Sequence, residues 1–224
     1  MFGKFFETLS VKKEKIPGPR AIQFENGVKL EISSPGASKE LQMQFFQAGR
    51  EAFDLKGLAP AGTRVFPDPA GKWQAVRGTK EIFVGKFDAE DCVLSFLHEA
   101  GHLHDDVSGD LVQSAKMRNA GADAGDQEKK FPPERLQAMK EERALVLLEE
   151  RTAWAFALRQ ARQLERQLGI SILKKIGNAA EVAKYVNGFL ESYEQVYLDD
   201  LQDLNIFSQA EMEKMFRQLE QPEK

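Results

Sequence analysis

All three histidines of the chain, His98, His102 and His104, fall within seven positions. The first two bracket the string His98-Glu99-Ala100-Gly101-His102, an HExxH pattern. A helix rises about 1.5 Å and turns about 100° per residue, so side chains four apart stand one above the other on one face. Two imidazoles so placed can grip one ion, and Glu99, a step around, reaches a water at that ion without ligating it. Zinc takes imidazole nitrogens readily, and a carboxylate beside its water is the general base of hydrolytic zinc sites. The string therefore predicts a catalytic zinc with His98 and His102 as ligands and Glu99 as general base.

A catalytic zinc takes three protein ligands and keeps one position open. His104 points about 200° around the helix from His102 and reads as a surface or supporting histidine. The longer pattern HExxHxxGxxH is absent, because Asp105 and Ser108 occupy its glycine and last-ligand positions. Asp105 shares the His98/His102 face, but three ligands from one helix crowd one side of an ion. The third ligand is expected from a second helix, and residues 132–168 predict one. Pro132 and Pro133 suit its first turn, apolar residues recur at helical spacing, and Gly169 is a stop. Within it, Glu149 and Glu150 sit in an otherwise apolar stretch, where an unpaired charge is costly and a cation removes the cost. Glu150 shares its face with Val146, Ala153 and Ala157, mostly small side chains that permit close packing against Ala100-Gly101. Glu149 shares its face with the bulkier Leu145, Thr152 and Phe156. Glu150 is the predicted third ligand and Glu149 the alternative; taken alone, Glu149 reads as a surface residue paired with Arg143 or Arg151.

The elements around these residues follow from local pattern. Asp88 is a candidate N-cap, with Glu90 and Asp91 in the first turn, and Val93, Leu94, Phe96 and Leu97 form an apolar surface. Gly101 costs about 1 kcal/mol against Ala in mid-helix, which a close helix–helix approach would explain. Cys92 reads as a small buried hydrophobe rather than a ligand. Upstream, residues 21–25 and 28–33 flank the hairpin dipeptide Asn26-Gly27. Ser38 is expected to cap an amphipathic helix running through Leu41, Phe45, Phe46, Ala52 and Phe53 to near Gly57. Three short strands are expected at residues 64–66, 73–76 and 81–84, the last an edge able to pair with an extended substrate. Residues 105–131 read as a polar loop with a short helix near 111–118, a candidate lid. Beyond Ile170 the chain is helical and acidic, including residues 179–204 and 208–219. Tyr185, Tyr193 and Tyr197 are the available oxyanion donors, but each reads more simply as a core or interface tyrosine.

His98-Glu-Ala-Gly-His102 followed by Glu150-Arg-Thr-Ala153-Trp-Ala-Phe156-Ala157 resembles the gluzincin arrangement, most closely that of the ImmA/IrrE-type metallopeptidases. In that family HExxH precedes a helix carrying Glu-x-x-Ala-x-x-Phe-Ala. The likeness spans about residues 60–160; Trp154 stands where the family usually carries Asn, and no Leu-Leu-Met-Pro follows Ala157. The resemblance implies an α+β, zincin-like domain, its small twisted sheet packed on the HExxH helix, with a helical C-terminal extension. It implies Glu150 as the glutamate ligand and zinc-dependent peptide hydrolysis in the cytoplasm, often of a repressor-like protein. The expected division is an N-terminal segment at 1–20, the metallopeptidase domain at 21–168, and the extension at 169–224.

Composition narrows the partners. A net charge of −4 gives no electrostatic case for nucleic acid. A single cysteine excludes internal disulfides and suits a reducing compartment. No apolar run has membrane-spanning length, and the first seven residues are too short and too charged for a signal peptide. There is no internal repeat. The expectation is a cytoplasmic protein with a peptide or protein substrate and neither nucleic-acid nor membrane partners. Two rivals are a non-catalytic binding or regulatory protein on the same scaffold, and a zinc hydrolase of small amides or esters. An intact Glu99 speaks against the first, since a purely structural site has no use for that carboxylate.

Overall fold

The computed structural model describes residues 20–34, 39–68, 70–85, 92–105, 133–189 and 205–221. Four strands, β1 (Arg20–Gln23), β2 (Lys29–Ser33), β3 (Gln42–Phe46) and β4 (Phe53–Asp54), form an antiparallel sheet in chain order. Asn26-Gly27 makes the β1–β2 turn, with Gly27 at φ 78° and the Phe24 N–H donating to the Val28 carbonyl at 2.8 Å. The Asn26 side chain donates to the Leu168 carbonyl at 2.7 Å, tying this turn to the end of the long helix described below.

The helix expected over residues 38–57 is not formed, and its described residues belong mainly to β3, β4 and a 3₁₀ turn at Leu55–Leu58. Leu41, Met43 and Phe45 are buried while Gln42, Gln44 and Phe46 face outward or half out, a period of two rather than 3.6. Gly49, at φ 75°, turns the chain back before Phe53. Phe45 and Phe53 then pair across β3 and β4, their rings 6.4 Å apart.

The second sheet has β5 (Arg64–Pro67), β6 (Gln74–Val76) and β7 (Glu81–Val84) in the order β5-β7-β6, with β7 parallel to β5 and antiparallel to β6. The strand expected at an edge, Glu81–Val84, is therefore the central one, and β6 forms the edge beside the helix that follows. A 3₁₀ turn at Arg77–Thr79 joins β6 to β7.

The HExxH string lies on α1 (Cys92–His104), and the second motif on the long α2 (Pro133–Leu168). Gly169, at φ 69°, ends α2 with its N–H on the Glu165 carbonyl. Three helices follow, α3 (Leu173–Ile176), α4 (Ala179–Gly188) and α5 (Gln209–Glu220). Capping boxes built by Asn178 with Glu181 and Ser208 with Glu211 start the last two. Val93, Leu94, Phe96, Leu97 and Ala100 of α1 are fully buried, as are Ala153, Trp154, Ala157, Leu158 and Ala161 of α2. Burying each large apolar side chain contributes about 1.5–3 kcal/mol, so this contact is a main part of the core. The lone Cys92 is buried, as a small hydrophobe would be.

The architecture is thus α+β, with two small sheets and five helices among the described residues. None of those helices is long and apolar enough to cross a membrane. The Ser38 and Asp88 caps, the 106–131 loop with its short helix, residues 190–204 with Tyr193 and Tyr197, and residues 1–19 lie outside the described residues.

Candidate metal centre

The site forms where α1 and α2 cross. Gly101 faces the backbone of Ala153, and a Cβ on Gly101 would stand 2.6 Å from the Ala153 carbonyl oxygen and 2.8 Å from its Cα. Only glycine permits that approach, which is the use its cost in helix propensity serves. The approach sets His98 and His102, on either side of Gly101, against Glu150, one turn before Ala153.

Nε2 of His98 and Nε2 of His102 lie 3.1 Å apart. Glu150 Oε2 is 3.3 Å from the first and Glu150 Oε1 is 3.4 Å from the second. Ligands about 2.0–2.1 Å from a tetrahedral ion sit about 3.3–3.4 Å from one another, so the three groups already hold a zinc-like spacing. His98 is 6 % exposed and Glu150 2 %, and among the described residues these three form a group that could hold a metal ion. The donor set, two imidazoles and one carboxylate with little solvent around them, fits a divalent cation of intermediate softness. Asp105 is not part of this group. His104 is exposed, its Nε2 on the Leu58 carbonyl at 2.9 Å and its ring against Phe156.

Glu99 lies beside the cluster, 7 % exposed, and takes a hydrogen bond from the Ala75 N–H of β6. Burial pushes its carboxyl up to about 7 from an ordinary 4.5; Glu150 and Glu149 push the same way, while His102 and the Ala75 N–H oppose them. Burial, helped by the charge of His102, holds His98 well below the ordinary histidine value, in the neutral form that ligates metals. Burial acts against charge on His102 as well, but Glu149, Glu150 and Glu99 prevail and raise it. Burial would also raise Glu149, yet His102 and Arg77 hold it below the ordinary carboxylate range. Three carboxylates face the His102 imidazole, an arrangement that favours positive charge there, whether a proton or a metal ion.

Several participants carry no local sequence signal. Arg77 reaches from the turn after β6 to Glu149, with Nη1 2.6 Å from Oε1, and its Nε donates to the His102 carbonyl at 2.8 Å. The described ion pairs of Glu149 are with Arg77 and His102; the Arg143 side chain lies outside the described residues. Arg151 instead pairs with Glu211 of α5. Trp154, fully buried, stacks on the His98 ring with centroids 4.2 Å apart and planes 24° from parallel. Tyr185 meets the Trp154 ring edge-on at 6.2 Å, packing behind the indole as an aromatic neighbour. The chain matches no protein-family model, no curated protein and no solved structure.

Proposed function

We propose that this protein is a zinc-dependent peptide hydrolase with a zincin-like fold, acting in the cytoplasm. The observation that carries the reading is the convergence of His98 Nε2, His102 Nε2 and Glu150 at 3.1–3.4 Å, with the buried Glu99 beside them. His98, His102 and Glu150 would hold the zinc, which when bound acidifies water and polarises a carbonyl as a Lewis acid. Glu99 is the general base, taking a proton from the attacking water and returning it to the leaving amine. Its buried place beside the cluster puts it within reach of a water at the ion, and burial raises its carboxyl in the metal-free protein. The Ala75 N–H keeps Glu99 turned toward β6. As the sheet edge beside α1, β6 replaces β7 as the strand against which an extended peptide would align.

The likeness of the two motifs to ImmA/IrrE-type peptidases supports a protein or peptide substrate, with a repressor-like regulator as the first to try. A single, buried cysteine supports a reducing compartment. The test measures bound zinc and hydrolysis together. Wild-type protein is expected to hold one zinc and to cleave peptides; His102→Ala and Glu150→Ala are expected to lose the metal. Glu99→Gln is expected to keep the zinc and lose cleavage by about 100-fold or more. Cleavage unchanged in Glu99→Gln would exclude the proposed base, and one zinc without any hydrolysis would favour a binding protein.

A further inference from the structure

His98 and His102 are held in place by different devices. His98 is clamped by the Trp154 ring, and the Nδ1 atoms of both imidazoles are buried without a hydrogen-bond partner. His102 turns its Nδ1 toward Glu149, whose Oε1 stands 3.4 Å away. The same Glu149 oxygen is gripped by Arg77 Nη1 at 2.6 Å, and Arg77 Nε donates to the His102 carbonyl at 2.8 Å. Arg77 thus holds His102 at its backbone and, through Glu149, faces its ring. Both partners are largely shielded, with side chains 26 % and 14 % exposed.

We propose that Glu149 and Arg77 form a positioning pair for His102. Glu149, at ion-pair distance, is the acceptor placed for the Nδ1–H of His102 once Nε2 takes the metal, and Arg77 fixes Glu149 and the end of α1. The proposal rests on the metal-site reading above and deepens it. A ligating histidine donates its second ring nitrogen to a carboxylate or carbonyl, which orients the ring and strengthens it as a donor. Glu149 is the carboxylate that faces that nitrogen. Adjacent in sequence, Glu149 and Glu150 thereby divide the work: one supplies a ligand, the other orients one. Arg77 is the last step in a chain from the β6 edge to the metal site, since it follows Val76 directly.

The test uses the full-length protein, stripped of metal and titrated with Zn2+ against a competing chelator and with Co2+ followed by its visible spectrum. Glu149→Ala and Glu149→Gln are expected to weaken zinc binding by about 10- to 100-fold. They are also expected to shift the cobalt bands, while the metal-free melting temperature stays close to wild type. Arg77→Met is expected to weaken binding less than Glu149→Ala does, and to add little when combined with it, because Arg77 acts mainly through Glu149. A purely structural role would lower the melting temperature and leave the cobalt spectrum unmoved. Wild-type zinc affinity and cobalt bands in Glu149→Ala, in a protein whose wild type binds zinc and whose His102→Ala does not, would overturn this inference alone. Failure of the wild type to bind zinc would overturn the metal-site reading and this inference with it.

Discussion

Replacing Gly101 with alanine tests whether the crossing of α1 and α2 sets the metal site. An added Cβ would lie 2.6, 2.8 and 3.0 Å from the O, Cα and C of Ala153, all backbone atoms that no rotamer change can move aside. Ordinary contact begins at 3.4 Å, so the helices must part by 3.4 − 2.6 = 0.8 Å at this point. Glu150 moves with α2, so its present 3.3 and 3.4 Å spacings to the two imidazoles grow. They reach about 4 Å, beyond the roughly 0.2 Å that metal–ligand distances tolerate. Zinc affinity is expected to fall by about 100-fold, the usual consequence of misplacing a reacting group by an ångström. Stability should fall by about 0–2 kcal/mol, since overpacking costs about 1–3 kcal/mol and alanine returns about 1 kcal/mol of helix propensity. Gly188→Ala, where a Cβ meets nothing within 4 Å, is the control for propensity alone. The measurements are chelator-competed zinc binding and thermal unfolding of the metal-free protein. Wild-type zinc affinity in Gly101→Ala, with a melting temperature raised as in the control, would refute the link between helix approach and ligand spacing.

Three further predictions rest on different contacts. Because folded Glu99 holds its proton to about 7 while an unfolded glutamate releases it near 4.5, metal-free stability falls as pH rises between those values. At about 1.36 kcal/mol per pKa unit the loss reaches about 3 kcal/mol, so Glu99→Gln should be more stable than wild type at pH 8 and equal to it near pH 4. Parallel pH–stability curves for the two proteins would contradict this. Glu165→Ala should destabilise the fold by about 3 kcal/mol or more while leaving zinc affinity unchanged. One oxygen of that buried carboxylate accepts the backbone N–H groups of Ile172, Leu173 and Lys174, and the other pairs with Arg162. Chemical denaturation checks it, and a loss below about 1 kcal/mol would show those donors finding other partners. Cobalt, which quenches nearby indoles, should quench emission in Trp73→Phe but not in Trp154→Phe, because only Trp154 stacks on a ligand ring. Equal quenching in both variants would place the ion elsewhere.

The site was legible in the sequence wherever one helix face carried it. The i, i+4 spacing aligns His98 with His102, and the small residues around Glu150 marked the side of α2 that could come close. What could not be read was whatever depends on a partner far along the chain. Arg77 stands in a three-residue turn with nothing local to mark it, and meets Glu149 only because β6 ends above α1. The place of β7 is of the same kind: Glu81–Val84 reads as a strand, but its central position comes from pairing β5 on one side and β6 on the other. The failure over residues 38–57 was local. Leu41, Met43 and Phe45 alternate with glutamines, and Gly49 stands where a helix would have to continue, yet the scattered aromatics also fit the longer period. Apolar runs of this length satisfy both periods, and the ring contacts of Phe45 with Phe24, just past β1, and with Phe53 on β4 favour the strand.

Among the described residues, the buried polar atoms without partners gather around the α1–α2 crossing. Among the described residues, five buried side-chain nitrogen or oxygen atoms lack a hydrogen-bond partner. Four of them, on Arg77, His98, His102 and Trp154, belong to residues at or beside the candidate metal cluster; Gln47 is the exception. Each such atom costs about 1–3 kcal/mol, and a fold selected for stability alone would scatter or remove them. The same crossing also holds a glycine in mid-helix and a glutamate pushed up to about 7. Elsewhere polar groups are well served, as where Glu165 answers three backbone donors and an arginine. None of those four atoms is a candidate ligand atom, so a cation would relieve the crossing through the converged carboxylates of Glu150 and Glu99. Zinc should therefore raise the melting temperature of the wild type far more than that of Glu150→Ala. An equal rise in the two would mean that the strain at this crossing has no ligand to relieve it.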